Sequence, residues 1–130
     1  MSQRLLLDTH LLLWAAVFPE RLPERAGQLM SDTANTLYFS TVSIWEISIK
    51  LSRPCKDLAI DVREWRTGML NNGYQEISIN SLHAIDVRNL PDLHKDPFDR
   101  LLLAQAMRED LTLVTADELL ASYPGPILKV

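Results

Sequence analysis

Four acidic residues in separate parts of the chain could together form a metal site. Asp8 lies in LLLDTH, Glu46 in STVSIWEISIK, Asp99 in HKDPFDRLLLAQA and Asp117 in VTADE. Carboxylate oxygens are the ligands that hard divalent cations such as Mg²⁺ and Mn²⁺ prefer. Such ions can activate a water molecule and hold the leaving oxygen of a phosphodiester. The residue types therefore indicate metal-assisted hydrolysis, provided that the fold brings the four side chains together.

The order of strands and helices decides whether these side chains can meet. Strands are predicted over Arg4–Leu7, Thr36–Ser40, 74–79, 111–115 and 127–130. Helices are predicted over 11–18, 22–30, 42–51, 61–72, 81–90, 96–109 and 117–122. Strands that alternate with helices along a whole chain predict an α/β fold, with a parallel sheet and helices on both faces.

The predicted sheet places the acidic residues near one edge. In a parallel α/β sheet, ligands bind beyond the carboxyl ends of the strands. Asp8 directly follows the first strand, and Asp117 follows the strand LTLVT. Glu46 lies in the helix after TLYFS, and Asp99 lies in the first turn of the long helix. All four carboxylates can therefore reach the same edge.

Three of the four acids also have an ordinary structural explanation. Asp8 and Asp117 each precede a predicted helix, where aspartate is a favoured N-cap. Asp96 followed by proline is a typical helix start, and Asp99 then lies in the first turn, where a negative charge favours the helix dipole. Each of these explanations is reasonable when its residue is considered alone.

Glu46 is the most informative of the four. It lies in a helix that is apolar on nearly all sides, where a lone carboxylate needs a partner. Lys50, one helical turn later, offers the alternative of an ordinary surface ion pair. For a non-functional interpretation, four such explanations must hold together and all fall at the ligand edge. That coincidence favours a site.

Four segments in this order resemble a known family. LLLDTH, STVSIWEISIKL, HKDPFDRLLLAQA and LTLVTADE are similar to the motifs of PIN-domain ribonucleases, specifically the VapC toxins of bacterial type II toxin–antitoxin systems. DPFDRLLLAQA and VSIWEISIK are the most specific of these segments. The resemblance covers nearly the whole chain and implies a single PIN domain over residues 1–130. It also implies a central parallel sheet of four to five strands with helices on both faces.

The resemblance also implies an activity and a set of site residues. The activity is Mg²⁺- or Mn²⁺-dependent endoribonuclease cleavage of RNA by a metal-activated water, which leaves a 5′-phosphate and a 3′-hydroxyl. By motif position, the catalytic and metal-binding residues are Asp8, Glu46, Asp99 and Asp117. Supporting positions are Thr9, Thr115, Asp96 and Arg100, of which the two threonines could support a ligand or water through a hydroxyl.

The implied partners are an RNA substrate, a second copy of the chain in a homodimer, and a small antitoxin. That antitoxin would have a DNA-binding N-terminal part and a C-terminal tail that wraps the toxin. Two alternatives stay open, a non-toxin PIN-type nuclease and a non-enzymatic α/β interaction module. A phosphotransfer domain is disfavoured, because Asp8 is followed by Thr9 and His10 where phosphatases need a second aspartate, and LVTADE lacks the lysine of a receiver domain.

Composition excludes several other classes. The chain has 130 residues, 47% hydrophobic and 23% charged, which is typical of one globular domain and excludes intrinsic disorder of the whole chain. Cys55 is the only cysteine, so a disulfide framework and a cysteine-based zinc site are excluded. Seventeen acidic residues against 13 basic ones argue against a protein that coats nucleic acid.

The same composition predicts a cytoplasmic protein. The longest apolar run, residues 11–18, is far shorter than the roughly 20 residues that span a bilayer, so no membrane segment is expected. Asp8 and His10 interrupt the leucine-rich N-terminal stretch, which argues against a signal peptide.

The three histidines and the segment from Arg53 to Lys56 are not predicted to belong to the metal site. A surface or structural role is favoured for His10, His83 and His94, although His94 precedes DPFDR and is expected near the mouth of the site. Arg53 and Lys56 could contact RNA phosphates, but a solvated loop is favoured, and Cys55 beside them is interpreted as incidental.

Overall fold

A computed structural model describes residues 2–51 and 60–130 of the chain. The predictions made for Arg53, Cys55 and Lys56 lie outside the described residues.

A five-stranded parallel sheet forms the centre of the fold, with strand order β3-β2-β1-β4-β5. The strands are β1 (Arg4–Leu7), β2 (Thr36–Ser40), β3 (Gln75–Ile77), β4 (Thr112–Thr115) and β5 (Ile127–Lys129). β1 lies in the middle, paired with β2 on one side and with β4 on the other. The predicted α/β fold with a central parallel sheet is therefore confirmed.

Helices connect the strands. They are α1 (Thr9–Val17), α2 (Glu24–Ser31), α3 (Thr41–Leu51), α4 (Val62–Asn71), α5 (Ser81–Asp86), α6 (Pro97–Arg108) and α7 (Glu118–Ala121), with short 3-10 turns at Pro19–Arg21 and Val87–Asn89. None of the helices in the described ranges is long and apolar enough to cross a membrane.

Most predicted elements differ from the structure by one or two residues at an end, and two are shorter by three residues or more. The strand predicted over 74–79 is shorter, because β2 ends at Ser40, which pairs with Ile77, and gives later residues no partner. The helix predicted over 81–90 ends at Asp86 and continues as a 3-10 turn. Pro91 follows, and a proline disfavours helical backbone in the residue before it.

The sheet is buried on both faces, as its leucine-rich central strand requires. Leu5 and Leu7 belong to one apolar cluster, with Leu12 of α1 and Trp65 of α4. Because successive strand residues point to opposite faces, Leu6 belongs to a second cluster. That second cluster includes Leu102, Leu103, Leu113 and Leu120. This packing holds the carboxyl ends of β1 and β4, and the acids that follow them, in fixed positions.

Candidate metal centre

Asp8 directly follows the last residue of β1 and is almost fully buried. Thr115 Oγ1 at the end of β4 donates a hydrogen bond of 2.7 Å to Asp8 Oδ2. Asp8 Oδ1 is buried and has no hydrogen-bond partner among the described residues. Asp8 occupies the N-cap position of α1, as its structural interpretation predicts, but its side chain makes no capping hydrogen bond to that helix. Burial raises the pKa of Asp8 above its usual value, and the Thr115 hydrogen bond opposes that rise.

Glu46 in α3 is buried and yet ion-paired. Its Oε2 accepts a hydrogen bond of 2.6 Å from Lys50 Nζ, so the predicted i,i+4 pair exists. The pair is not on the surface, however, because the Glu46 side chain is only 2% exposed, whereas that of Lys50 is 48% exposed. Glu46 Oε1 is buried without a partner among the described residues. The ion pair therefore occupies one oxygen and leaves the other free.

Asp96 and Asp99 have different roles at the start of α6. Asp96 is the N-cap, whose Oδ1 accepts hydrogen bonds from the backbone N–H groups of Phe98 and Asp99. Its structural interpretation is therefore confirmed. The Asp99 side chain points inward, is 6% exposed, and lies 2.8 Å from His94 Nε2 through Oδ2.

Asp117 both caps a helix and faces the other acids. Its Oδ1 accepts hydrogen bonds from the N–H groups of Leu119 and Leu120 at the start of α7. Its Oδ2 lies 3.7 Å from His94 Nε2. The capping explanation is correct for one oxygen and leaves the second oxygen available.

We call Asp8, Glu46, Asp99 and Asp117 the acidic cluster, because the charges of the other three act on the pKa of Asp99. The pKa of Asp99 is raised to about 8, firstly by burial. The negative charges that raise it further are those of Asp8, Asp96, Glu46 and Asp117. Contacts join three of the four segments, because His94 Nε2 lies 2.8 Å from Asp99 and 3.7 Å from Asp117, and Thr115 bonds both Asp8 and the Asp117 N–H.

The donor set of the cluster fits a divalent cation. Asp8 and Glu46 each present one buried, unpartnered oxygen within the described part of the chain. His94, Asp99 and Asp117 offer further ligand atoms that all lie within 4.8 Å of one another. A cleft of about 210 Å³ opens beside them and is lined by Asp8, His10, Trp14, Ala116 and Asp117. Oxygen-rich sites of this kind suit Mg²⁺ or Mn²⁺.

Thr9 and Thr115, two of the four supporting residues, make hydrogen bonds with other protein groups. The Thr9 hydroxyl, expected to support a ligand, instead shares a buried hydrogen bond of 2.7 Å with Ser43 Oγ. Ser43 was missed in the sequence, although a small hydroxyl residue one turn before Glu46 in an apolar helix was a usable signal. Thr115 Oγ1 accepts a hydrogen bond from the Asp117 N–H and donates one to Asp8, so it links two of the acids.

Arg100 contacts backbone. Its guanidinium donates hydrogen bonds to the carbonyl oxygens of Val87, Pro91 and His94 and to the Tyr123 hydroxyl. Arg100 therefore fixes the segment from 87 to 94.

The three histidines have distinct environments. His83 is buried, completes a capping box with Asn80, and lies 2.9 Å from Glu109 Oε1 through Nε2. Its predicted structural role is confirmed. His10 is exposed and lines the cleft, with its ring 5.8 Å from that of Trp14. His94 lies within hydrogen-bond distance of the acidic cluster, a contact that the modest role predicted for it did not include.

The chain is similar to known proteins both in sequence and in fold. The family model described as PIN domain matches residues 5–126. The chain is 30% identical over 122 residues to Ribonuclease VapC22 of Mycobacterium tuberculosis, covering 93% of this chain and 92% of that protein. A similar fold is found in VapBC2 from Rickettsia felis bound to a promoter DNA fragment, with a TM-score of 0.69, 17% identity and 98% of each chain covered. DNA-bound VapBC from Salmonella typhimurium has a TM-score of 0.63, 15% identity and 98% of each chain covered.

Proposed function

The chain belongs to the PIN domain family, and on this basis we propose that it is a VapC-type endoribonuclease that hydrolyses RNA with the help of Mg²⁺ or Mn²⁺. The observation that carries the proposal is the convergence of Asp8, Glu46, Asp99 and Asp117, two of which present buried oxygens without a partner among the described residues. Buried carboxylates held close together without a cation are energetically unfavourable, which is the expected property of a site made for one.

In this proposal the acidic cluster holds the cation. Asp8 Oδ1, Glu46 Oε1 and one oxygen each of Asp99 and Asp117 are the available ligand atoms. When bound, the ion lowers the pKa of a water molecule and stabilises the charge that develops on the phosphate.

The surrounding residues fix the orientation of these oxygens. Thr115 holds Asp8 Oδ2, Lys50 holds Glu46 Oε2, and the start of α7 holds Asp117 Oδ1. In each case one oxygen bonds to the protein and the second is left available as a ligand atom. No nucleophilic side chain is needed.

Cleavage of RNA in the presence and absence of metal tests the activity. Purified protein is expected to cut RNA with Mg²⁺ or Mn²⁺, to leave 5′-phosphate and 3′-hydroxyl ends, and to lose the activity in EDTA. Asp8→Asn is expected to abolish cleavage, whereas Asp61→Asn, which changes an exposed helix cap, is the matched control. Cleavage at full rate in EDTA contradicts the metal mechanism.

We further propose that the protein acts as the toxin of a toxin–antitoxin pair. Support comes from the relative named Ribonuclease VapC22 and from neighbours solved as VapBC complexes on DNA. The partner would be a small antitoxin with a DNA-binding N-terminal part and a tail that becomes ordered on binding. Expression alone should arrest growth, and the antitoxin should relieve it. Soluble expression without a growth defect in several hosts would instead favour a non-toxin PIN nuclease.

The proposal also covers the assembly and place of action. Residues 1–130 would form a single PIN domain, active in the cytoplasm as a homodimer. Sedimentation equilibrium of the purified chain measures the assembly, and a strict monomer at micromolar concentration contradicts that part of the proposal. A non-enzymatic interaction module would show neither cleavage nor a Mn²⁺-dependent rise in melting temperature.

A further inference from the structure

We propose that His94 is a positioning residue that orients Asp99 for the cation and does not itself bind the metal. The inference rests on the proposed metal-dependent function of the acidic cluster. In this arrangement the Nε2–H of His94 holds Asp99 Oδ2, so that the other carboxylate oxygen, Oδ1, is presented to the ion.

The position of the imidazole allows two different roles. His94 Nε2 lies 2.8 Å from Asp99 Oδ2 and 3.7 Å from Asp117 Oδ2. The same nitrogen could therefore ligate an ion between these carboxylates or donate a hydrogen bond to one of them. Which role it takes depends on which ring nitrogen has the proton.

A backbone contact of Asp96 favours one of these roles. The Asp96 N–H donates a hydrogen bond to His94 Nδ1 at 3.4 Å, which requires a lone pair on Nδ1. In a neutral imidazole the proton then lies on Nε2, which becomes a donor. A metal ligand needs a lone pair on Nε2, and moving the proton to Nδ1 would point two N–H groups at each other. The structure thus favours donation to Asp99 over ligation.

The segment that bears His94 is held in place from two sides, by a pair of residues that we call the Arg100–Tyr123 clamp. The Tyr123 hydroxyl accepts from the His94 N–H at 2.8 Å and contacts the His94 carbonyl at 3.3 Å. Arg100 donates to the same hydroxyl at 2.9 Å and to the Pro91 carbonyl at 2.9 Å. Tyr123 is itself buried.

These contacts fix the backbone of His94 on both sides of its side chain. Positioning of a ligand carboxylate needs a partner of this kind, because a freely rotating donor would not fix the orientation of Asp99. Arg100, a supporting residue in the sequence motif, therefore acts on the cluster through His94.

The tautomer of His94 can be measured directly in the wild-type protein. Two-bond ¹H–¹⁵N correlation spectra distinguish the two neutral tautomers of each histidine, and His94→Gln identifies the signals of His94. We expect the Nε2–H form in EDTA and also with saturating Mg²⁺, which is diamagnetic. An Nδ1–H form in the Mg²⁺-loaded protein would show that Nε2 binds the metal and would overturn the inference.

Metal affinity provides a second readout that needs no RNA. Titration calorimetry with Mn²⁺ should show that His94→Ala weakens binding by about 10–100-fold, the usual loss for a group that orients a ligand. His94→Gln, which keeps an N–H donor at similar reach, should retain most of the affinity. Leu93→Ala changes an exposed neighbour in the same segment and should bind as wild type.

The results separate this inference from the proposed function. Wild-type affinity in His94→Ala overturns the positioning role even if the protein cuts RNA in a metal-dependent way. Weakened Mn²⁺ binding in His94→Ala, together with the Nε2–H form in the Mg²⁺-loaded wild type, supports the positioning role. If the same protein cuts no RNA, only the nuclease is refuted. A wild-type chain that binds neither ion overturns both.

Discussion

Replacing Asp99 with asparagine should remove a specific pH dependence from the stability of the metal-free protein. The pKa of Asp99 is raised to about 8, firstly by burial and then by the other carboxylates. The folded protein therefore keeps this carboxyl protonated up to about pH 8, whereas the unfolded chain releases the proton near pH 4. Asparagine has a similar shape and can still accept the hydrogen bond from His94, but it does not titrate.

The sign and size of the effect follow from this difference in pKa. A raised pKa in the folded state contributes stability below the unfolded value, and that stability is lost as pH rises through 8. The free energy of unfolding should fall mainly between pH 6 and pH 8 and then level off. Over the whole range from pH 6 to pH 9 the loss is about 2.7 kcal/mol without screening. Solvent at the cleft screens part of the interaction, so we expect a loss of about 1–3 kcal/mol.

Urea unfolding in EDTA at pH 6, 7, 8 and 9 measures the effect. The wild-type midpoint should fall across this range, and the Asp99→Asn midpoint should fall less, so that the variant becomes the more stable protein at pH 9. Asp61→Asn is the matched control, because Asp61 caps α4 at an exposed position and asparagine caps a helix equally well. Its midpoint should follow that of the wild type at each pH.

Parallel pH profiles for wild type and Asp99→Asn would refute the reasoning. They would mean that Asp99 is ionised at neutral pH in the folded protein and that the acids are not close enough to raise its pKa. The convergence argument for the acidic cluster would then lose its electrostatic support.

Three further predictions address neighbouring contacts. In EDTA at neutral pH, Glu46→Gln should raise the urea midpoint, because relief of carboxylate repulsion outweighs the few tenths of a kcal/mol of the Lys50 pair, and it should abolish RNA cleavage. Calorimetric scans at constant ionic strength should show that Mn²⁺ at about 100 times its Kd stabilises the wild type by about 2.7 kcal/mol and Asp8→Asn by much less. Tyr123→Phe removes the hydroxyl that bonds the His94 backbone, and should destabilise by about 1–3 kcal/mol in urea and weaken Mn²⁺ binding in the same direction as His94→Ala.

Much of the fold could be predicted from local sequence patterns. The run Arg4–Leu7, the β-branched and aromatic segment Thr36–Ser40 and the Asp96–Pro97 helix start each specify their element over a few residues, and the structure has them there. The predicted ends of an element are less accurate where they depend on the length of an adjacent strand. β3 is short because of where β2 ends, which no pattern within residues 74–79 reveals.

The acids of the site could also be identified from local sequence patterns. The residues that form hydrogen bonds around the site could not. Asp8 and Asp117 follow strands, so the fold rule alone brings them to one edge. The contact of Thr9 with Ser43 and that of His94 with Asp99 depend on the rotamers and the packing of separate segments. A sequence pattern gives residue type and position on an element, but it does not give the direction of a hydrogen bond.

The central position of β1 has a consequence for synthesis of the chain. The hydrogen bond between Asp8 and Thr115 joins residues 107 positions apart, and β4 pairs directly with β1. The pairing of β1 with β4 forms late, because the ribosome synthesises β1 long before β4. A nascent chain that ends before β4 therefore lacks Asp117, the hydroxyl that holds Asp8, and the complete acidic cluster. The acidic cluster of the proposed nuclease is therefore completed only once nearly the whole chain has left the ribosome.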